Sequence, residues 1–149
     1  MIDALYSDRI LMLAANMPRA GRLARPDASV ERVSKLCGSR VTVDLALHNG
    51  RVTDFAQDVK ACALGQASAA VLGAHVIGAT LEELELARDA LSTMLKLDGP
   101  APRGRFADLA VLEPVKAYPA RHTSTLLAFE AVVAAAREAS TRTITAVAG

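Results

Sequence analysis

The sequence predicts an α+β fold, a small antiparallel β-sheet with helices packed on one face. Three observations carry this. The dipeptide Asn49-Gly50 separates two alternating apolar runs, and a type I′ hairpin turn needs φ > 0 at both of its central residues. The apolar segments after residue 60 repeat at helical spacing. Thr80-Leu81-Glu82-Glu83 reads as a capping box, which marks a helix start. Strands first and helices afterwards is the grouping of an α+β domain.

Each element follows in turn. Ile2 to Ala15 is helix-like, with Ile2, Leu5, Tyr6, Ile10 and Leu13 on one face, and Asn16-Met17-Pro18-Arg19 stops it. Gly21 to Ser34 is polar and reads as a long loop, with room for a third strand. The hairpin strands are Val41 to Leu47 and Arg51 to Phe55. In a simple register Phe55 falls on the face opposite Val41, Val43, Leu45 and Leu47. A β-bulge between Thr53 and Asp58 would restore it and shift the pairing by one residue. Ala61 to Val76 is small and apolar throughout and reads as a buried helix, broken at Gly78-Ala79. Leu81, Leu84, Ala87, Leu91 and Met94 stripe the helix that follows Thr80. Asp98 to Gly104 is a loop, Phe106 to Leu112 a short helical piece, and Pro114 and Pro119 bracket an irregular stretch. A last helix is expected from Arg121 to Glu138, with Leu126, Phe129, Val133 and Ala136 facing inward. Residues 1–139 form a single domain, and residues 140–149 read as a flexible C-terminal tail.

At 149 residues and 52% apolar content, the chain can bury a core without disulfides or metal. Aromatics are 3%, so that core is built of Ala, Leu and Val. The net charge is +1 with no basic block, which argues against nucleic acid. No apolar run reaches a membrane span of about 20 residues. The N-terminus carries an early acid and does not read as a secretion signal, so a cytoplasmic protein is expected. In a reducing compartment a thiol pair is more often a metal or redox site than a structural bridge.

Cys37 and Cys62, the only cysteines, lie twelve residues before Asn49 and twelve after Gly50. The hairpin therefore brings both thiols to its open end, a spacing that suits a shared metal, a cluster or a disulfide. Cys62 stands where a strand hands over to a helix, and a helix N-terminus stabilises a thiolate. Arg40 and Lys60 add positive charge nearby. Two thiols do not complete a tetrahedral zinc site or a [2Fe–2S] site, which takes about four ligands. His122, at the start of the last helix, is the best further ligand. His48 and His75 lie too far along their elements.

Together these residues resemble the IscU, SufU and NifU N-terminal type of iron–sulfur cluster assembly scaffold. Asn16-Met17-Pro18-Arg19-Ala20-Gly21 is similar to that family's Asn-Pro-Arg-x-x-Gly stretch, and Cys37-Gly38-Ser39 to its Cys-Gly-Asp. Cys62 to Ser68 is similar to its second cysteine opening a small-residue helix. Leu112-Glu113-Pro114-Val115-Lys116 resembles the segment that a specialised chaperone reads, and Tyr118-Pro119-Ala120-Arg121 resembles the Phe-Pro-Ala-Arg of the SufU branch. The chain departs from the pattern at two ligand positions. The family's third cysteine falls on Ser124 when Leu127-Ala128 anchors the comparison, or on Thr123 when His122 does. The aspartate after Cys-Gly is Ser39.

The resemblance implies a SufE/IscU-like fold and a scaffold or carrier rather than an enzyme. It implies a transient iron–sulfur cluster, [2Fe–2S] in type, or zinc, held by Cys37, Cys62 and His122. Ser39, Ser124, Lys60 and Arg121 are the candidates for additional ligand or surrounding shell. Leu112, Pro114, Val115 and Lys116 are the candidates for chaperone recognition. A cysteine desulfurase, such a chaperone and acceptor apo-proteins are the implied partners. The alternatives are a zinc-binding sulfur-transfer partner of a desulfurase, a metal-free interaction protein with a decayed site, or a two-thiol redox switch.

Overall fold

A computed structural model describes residues 7–35 and 38–148, the last seven as backbone only. Ile2, Leu5, Tyr6 and Cys37 lie outside the described residues. The elements run α1 (Asp8–Ala15), β1 (Ala28–Val33), β2 (Arg40–His48), β3 (Arg51–Lys60), α2 (Ala63–His75) and α3 (Leu81–Leu97). Two 3-10 segments, Gly104–Ala117 and Pro119–Arg121, lead into α4 (His122–Ala148).

The strands form a three-stranded antiparallel sheet in the order β1-β2-β3. Asn49 and Gly50 both have positive φ, 53° and 76°, the type I′ geometry that their identities demand. One register shift follows the turn: Leu47 pairs with Val52, but Ala46 pairs with Asp54. Thr53 is the extra residue, inside the window expected for a bulge. Beyond it Phe55 faces Leu45 and is buried beside Val41 and Val43. The strands outrun the expected limits, to Lys60 on β3, and the third strand is the end of the polar loop.

That loop does more than connect. Residues 19–21 pair with the free edge of β3, through Gln57 N–H to the Arg19 carbonyl (3.0 Å) and Gly21 N–H to the Gln57 carbonyl (2.9 Å). The chain then crosses the sheet face turned away from the helices and enters β1 at the opposite edge. Asp44 pins the crossing. It accepts from Arg22 Nε (2.7 Å), the Leu23 N–H (3.0 Å) and Ser29 Oγ, and is fully buried. Burial alone would push its carboxyl up. The bonds from Arg22, Ser29 and Leu23 outweigh that and hold it below the usual carboxylate range.

The helices cover the other face. α4 lies across β1 and β2 with α2 and α3 against it. Buried alanines on α2 and α4, including Ala67, Ala70, Ala128 and Ala135, allow close helix approach. Phe106 meets Phe129 edge to face at 5.5 Å. The capping box forms in full: Thr80 Oγ1 accepts from the Glu83 N–H and Glu83 Oε1 from the Thr80 N–H, both at 3.1 Å.

Three helix limits are corrected. The described first helix begins at Asp8, where Ser7 caps it by accepting from the Ile10 N–H. The piece expected over Phe106 to Leu112 is a longer 3-10 run, whose kink at Phe106 and Pro114 suit tighter turns. The last helix continues past Glu138 to Ala148, since no Gly or Pro interrupts it before Gly149. Among the described residues, no helix is long and apolar enough to cross a membrane.

Candidate functional site

Three chain segments start at one place. β3 ends at Lys60, and Cys62 takes the N-cap position of α2 in extended backbone (φ −66°, ψ 171°). Its side chain makes no capping bond. Pro119–Arg121 turns the chain into α4, whose first turn carries Ser124. Ser124 Oγ lies 3.3 Å from Cys62 Sγ and 3.2 Å from Ser39 Oγ. Ser39 is the residue before β2, and Ser124 and Ser39 are 1% and 3% exposed. Cys62 is half-buried.

This convergence depends on a glycine. A Cβ on Gly65 would lie 2.8 Å from Ala61 Cβ, 3.0 Å from Ser124 Oγ and 3.1 Å from the Ser124 carbonyl. Without a side chain there, the starts of α2 and α4 approach closely enough for Ser124 to reach Cys62. Gly65 was not among the expected site residues. Its signal is the small-residue spacing after Cys62, which marks tight helix packing without naming the partner helix.

Of the two candidate positions on α4, Ser124 is the one that lies against Cys62. Thr123 is exposed, whereas Ser124 is buried against Cys62. His122 is also buried, and its Nε2 sits 3.0 Å from the Val115 carbonyl. A carbonyl only accepts, so Nε2 carries the hydrogen, which in a neutral ring leaves Nδ1 with a lone pair able to accept a hydrogen bond or bind a metal. Donation of the second ring N–H to a carbonyl is the usual support of a ligating histidine.

The remaining expected residues have the following places in the fold. Lys60 pairs with Arg40 across β2 and β3, placing two cations opposite one another at the open end of the sheet. Arg40 also lies 3.7 Å from Glu31. Arg121 stands one turn before Ser124. His48 is exposed at the hairpin, and His75 is taken by Asp108 (3.1 Å). In the segment Leu112–Lys116, Leu112 and Val115 are fully buried, while Pro114 is half-buried and Lys116 projects outward. A hydrogen bond from Lys116 to Asp98 (2.9 Å) raises the ammonium above its usual range.

Among the described residues no three His, Cys, Asp or Glu side chains come together. The described donors here are the Cys62 thiol, the Ser124 hydroxyl on it and the Ser39 hydroxyl on Ser124, with the His122 imidazole in the same first turn of α4 and bonded to Val115. Cys37, two residues before Ser39 in sequence, supplies the second thiol of the chain.

Comparisons with known proteins agree with this architecture. Residues 5–125 match the family described as NifU-like N terminal domain. The crystal structure of a nitrogen-fixing NifU-like protein (N-terminal) from Brucella abortus is 58% identical and covers 94% of this chain and 97% of its own, with a TM-score of 0.92. The iron–sulfur cluster assembly scaffold protein IscU of Thermotoga maritima is 26% identical over 136 residues, 91% of this chain and 95% of that protein. A putative iron–sulfur cluster assembly scaffold protein for the SUF system from Fervidobacterium islandicum shares the fold at 22% identity. Its TM-score is 0.82, over 90% of this chain and 98% of its own.

Proposed function

This chain belongs to the NifU-like N-terminal domain family, and we propose that it is an iron–sulfur cluster assembly scaffold that builds and releases a cluster at Cys62. The observation that carries the reading is the half-buried Cys62 thiol at the junction of three chain segments, on this family's fold. A thiolate there serves both as nucleophile and as ligand.

The cluster is cargo, and sulfur reaches it from a cysteine desulfurase. The Cys62 thiolate attacks the terminal sulfur of the donor's persulfide. The donor S–S bond breaks, the donor leaves as thiolate, and Cys62 carries the persulfide, with no net oxidation. An external reductant supplies the electrons that turn this sulfur into sulfide. Lys60, Arg40 and Arg121 favour the anionic species on both sides of the exchange.

The donor set fits a lightly held cluster. Cys37 and Cys62 are thiolate ligands, and the His122 Nδ1 is the nitrogen ligand that its Val115 bond supports. We assign a [2Fe–2S] cluster, whose remaining ligand comes from outside these residues; resident zinc on the same residues is the competing occupant. Acceptor apo-proteins receive the cluster. A chaperone reading Leu112–Lys116 would meet Lys116 at the surface and would need the segment opened to reach Leu112 and Val115.

Anaerobic incubation with ferrous iron and sulfide tests the reading. Visible charge-transfer bands with bound iron are expected, and their loss in Cys62→Ser and Cys37→Ser. Tightly bound zinc that iron does not displace would replace the scaffold by a zinc-dependent sulfur-transfer partner.

A further inference from the structure

We infer that Ser124 is a positioning residue for Cys62 and not a ligand to the cargo: its hydroxyl donates a hydrogen bond to the Cys62 sulfur, and Ser39 holds it in that role. The direction of that bond and its consequence for cargo rest on the scaffold reading, in which Cys62 acts as a thiolate; the contact itself does not.

Counting hydrogens fixes the direction. A cysteine acting as ligand or nucleophile is a thiolate and has no hydrogen to give. The hydrogen in the 3.3 Å contact between Cys62 Sγ and Ser124 Oγ is then Ser124's. A serine has one hydroxyl hydrogen. In its 3.2 Å contact with Ser39 Oγ, Ser124 must therefore accept. The chain runs from the Ser39 hydroxyl to Ser124 Oγ, and from the Ser124 hydroxyl to sulfur. To bind metal as an alkoxide, Ser124 would have to surrender the hydrogen that the sulfur uses.

Packing keeps it there. Ser124 and Ser39 are almost wholly buried, so water does not compete for either bond. The absent side chain of Gly65 leaves the space that Ser124 fills. A hydrogen bond to a coordinating sulfur draws electron density from it, and such bonds are a known lever on cluster properties. At this site the bond weakens the hold of Cys62 on its cargo. Ser124 thus acts as a release element where a third thiolate would act as a clamp.

The test is an anaerobic cobalt(II) titration of the whole chain and of Ser124→Ala and Ser39→Ala, with thermal melts showing that each variant is folded. Removing the donor should move the sulfur-to-cobalt charge-transfer band to lower energy in Ser124→Ala, with cobalt bound at least as tightly as by the wild type. Ser39→Ala should move the band the same way by less. An unmoved band in Ser124→Ala overturns the proposal. So does a loss of cobalt affinity of about tenfold or more, because the hydroxyl would then strengthen the hold on metal rather than weaken it. If the wild type takes up no cobalt, the metal-binding reading fails, and the contact is read in metal-free protein instead. In a Cys37→Ser background at alkaline pH, where Cys62 is ionised, the ultraviolet absorption band of its thiolate should move to lower energy on Ser124→Ala, because the sulfur then loses its donor. An unmoved band would overturn the inference.

Discussion

Cys62 and Asp44 show how the same kind of polar contact serves two ends. At Cys62 the partner is the neutral Ser124 hydroxyl, and the residue is only half-buried. At Asp44 the partner is a guanidinium, and the carboxylate is sealed under the crossing loop. Two predictions belong at this scale. Ser124→Cys adds a thiolate where only a hydroxyl now stands, so a cluster formed on that variant should persist longer in a chelator challenge than on the wild type. Asp44 has a lowered folded pKa, so its contribution to stability is present above the unfolded value of about 3.9 and is lost as pH falls through the folded value. Urea midpoints measured from pH 6 to pH 2 should therefore fall more steeply for the wild type than for Asp44→Asn, which is destabilised throughout the upper range. Parallel slopes would remove Asp44 from the account. The carboxylate's importance was not legible in the sequence. Asp44 sits at an outward position of an alternating strand, and only the loop that folds over it makes it buried.

Among the elements, those whose cause is local could be read directly. Asn49-Gly50 dictated the turn, and the misplaced Phe55 required a bulge that Thr53 supplies. The Thr80–Glu83 box set the start of α3. Thr80→Ala should cost about 1 kcal/mol in urea denaturation, the usual worth of such a cap, and leave cluster loading unchanged because the site lies elsewhere. Elements whose cause is tertiary were read less well. The 3-10 run of Gly104–Ala117 buries Phe106, Leu109, Leu112 and Val115 at a three-residue spacing, the period of a 3-10 helix, which a reading for the 3.6-residue period passes over. The site was legible in the same measure. The strand-to-helix position of Cys62 and the candidacy of Ser124 followed from sequence, but the choice of Ser124 over Thr123 needed the helix phase that α4 adopts against α2. Gly65→Ala tests that packing. A gain of about 1 kcal/mol in helix propensity should be outweighed by an overpacking cost of about 1–3 kcal/mol. The variant should melt at a lower temperature and load less cluster, since α4 must shift away from Cys62. Unchanged melting and loading would show that the helices do not set the site.

For the whole molecule, the sheet carries helices on one face and the crossing loop on the other, and the site lies at the sheet's open end. The β3 edge is closed by residues 19–21 and again where the Val52 N–H bonds the Ala79 carbonyl (2.9 Å). Elements on three sides thus present a thiol whose donor shell is sparse among the described residues, an arrangement for holding a cluster long enough to pass it on. The most direct test of that claim is the hand-over itself. The chain is loaded anaerobically with iron and sulfide, freed of unbound ions, and mixed with an excess of an apo-ferredoxin while the acceptor's spectrum is followed. The wild type should give up its cluster to the acceptor, and Cys62→Ser should have none to give. A chain that forms no cluster, or that keeps the one it forms in the presence of excess acceptor, would contradict the account.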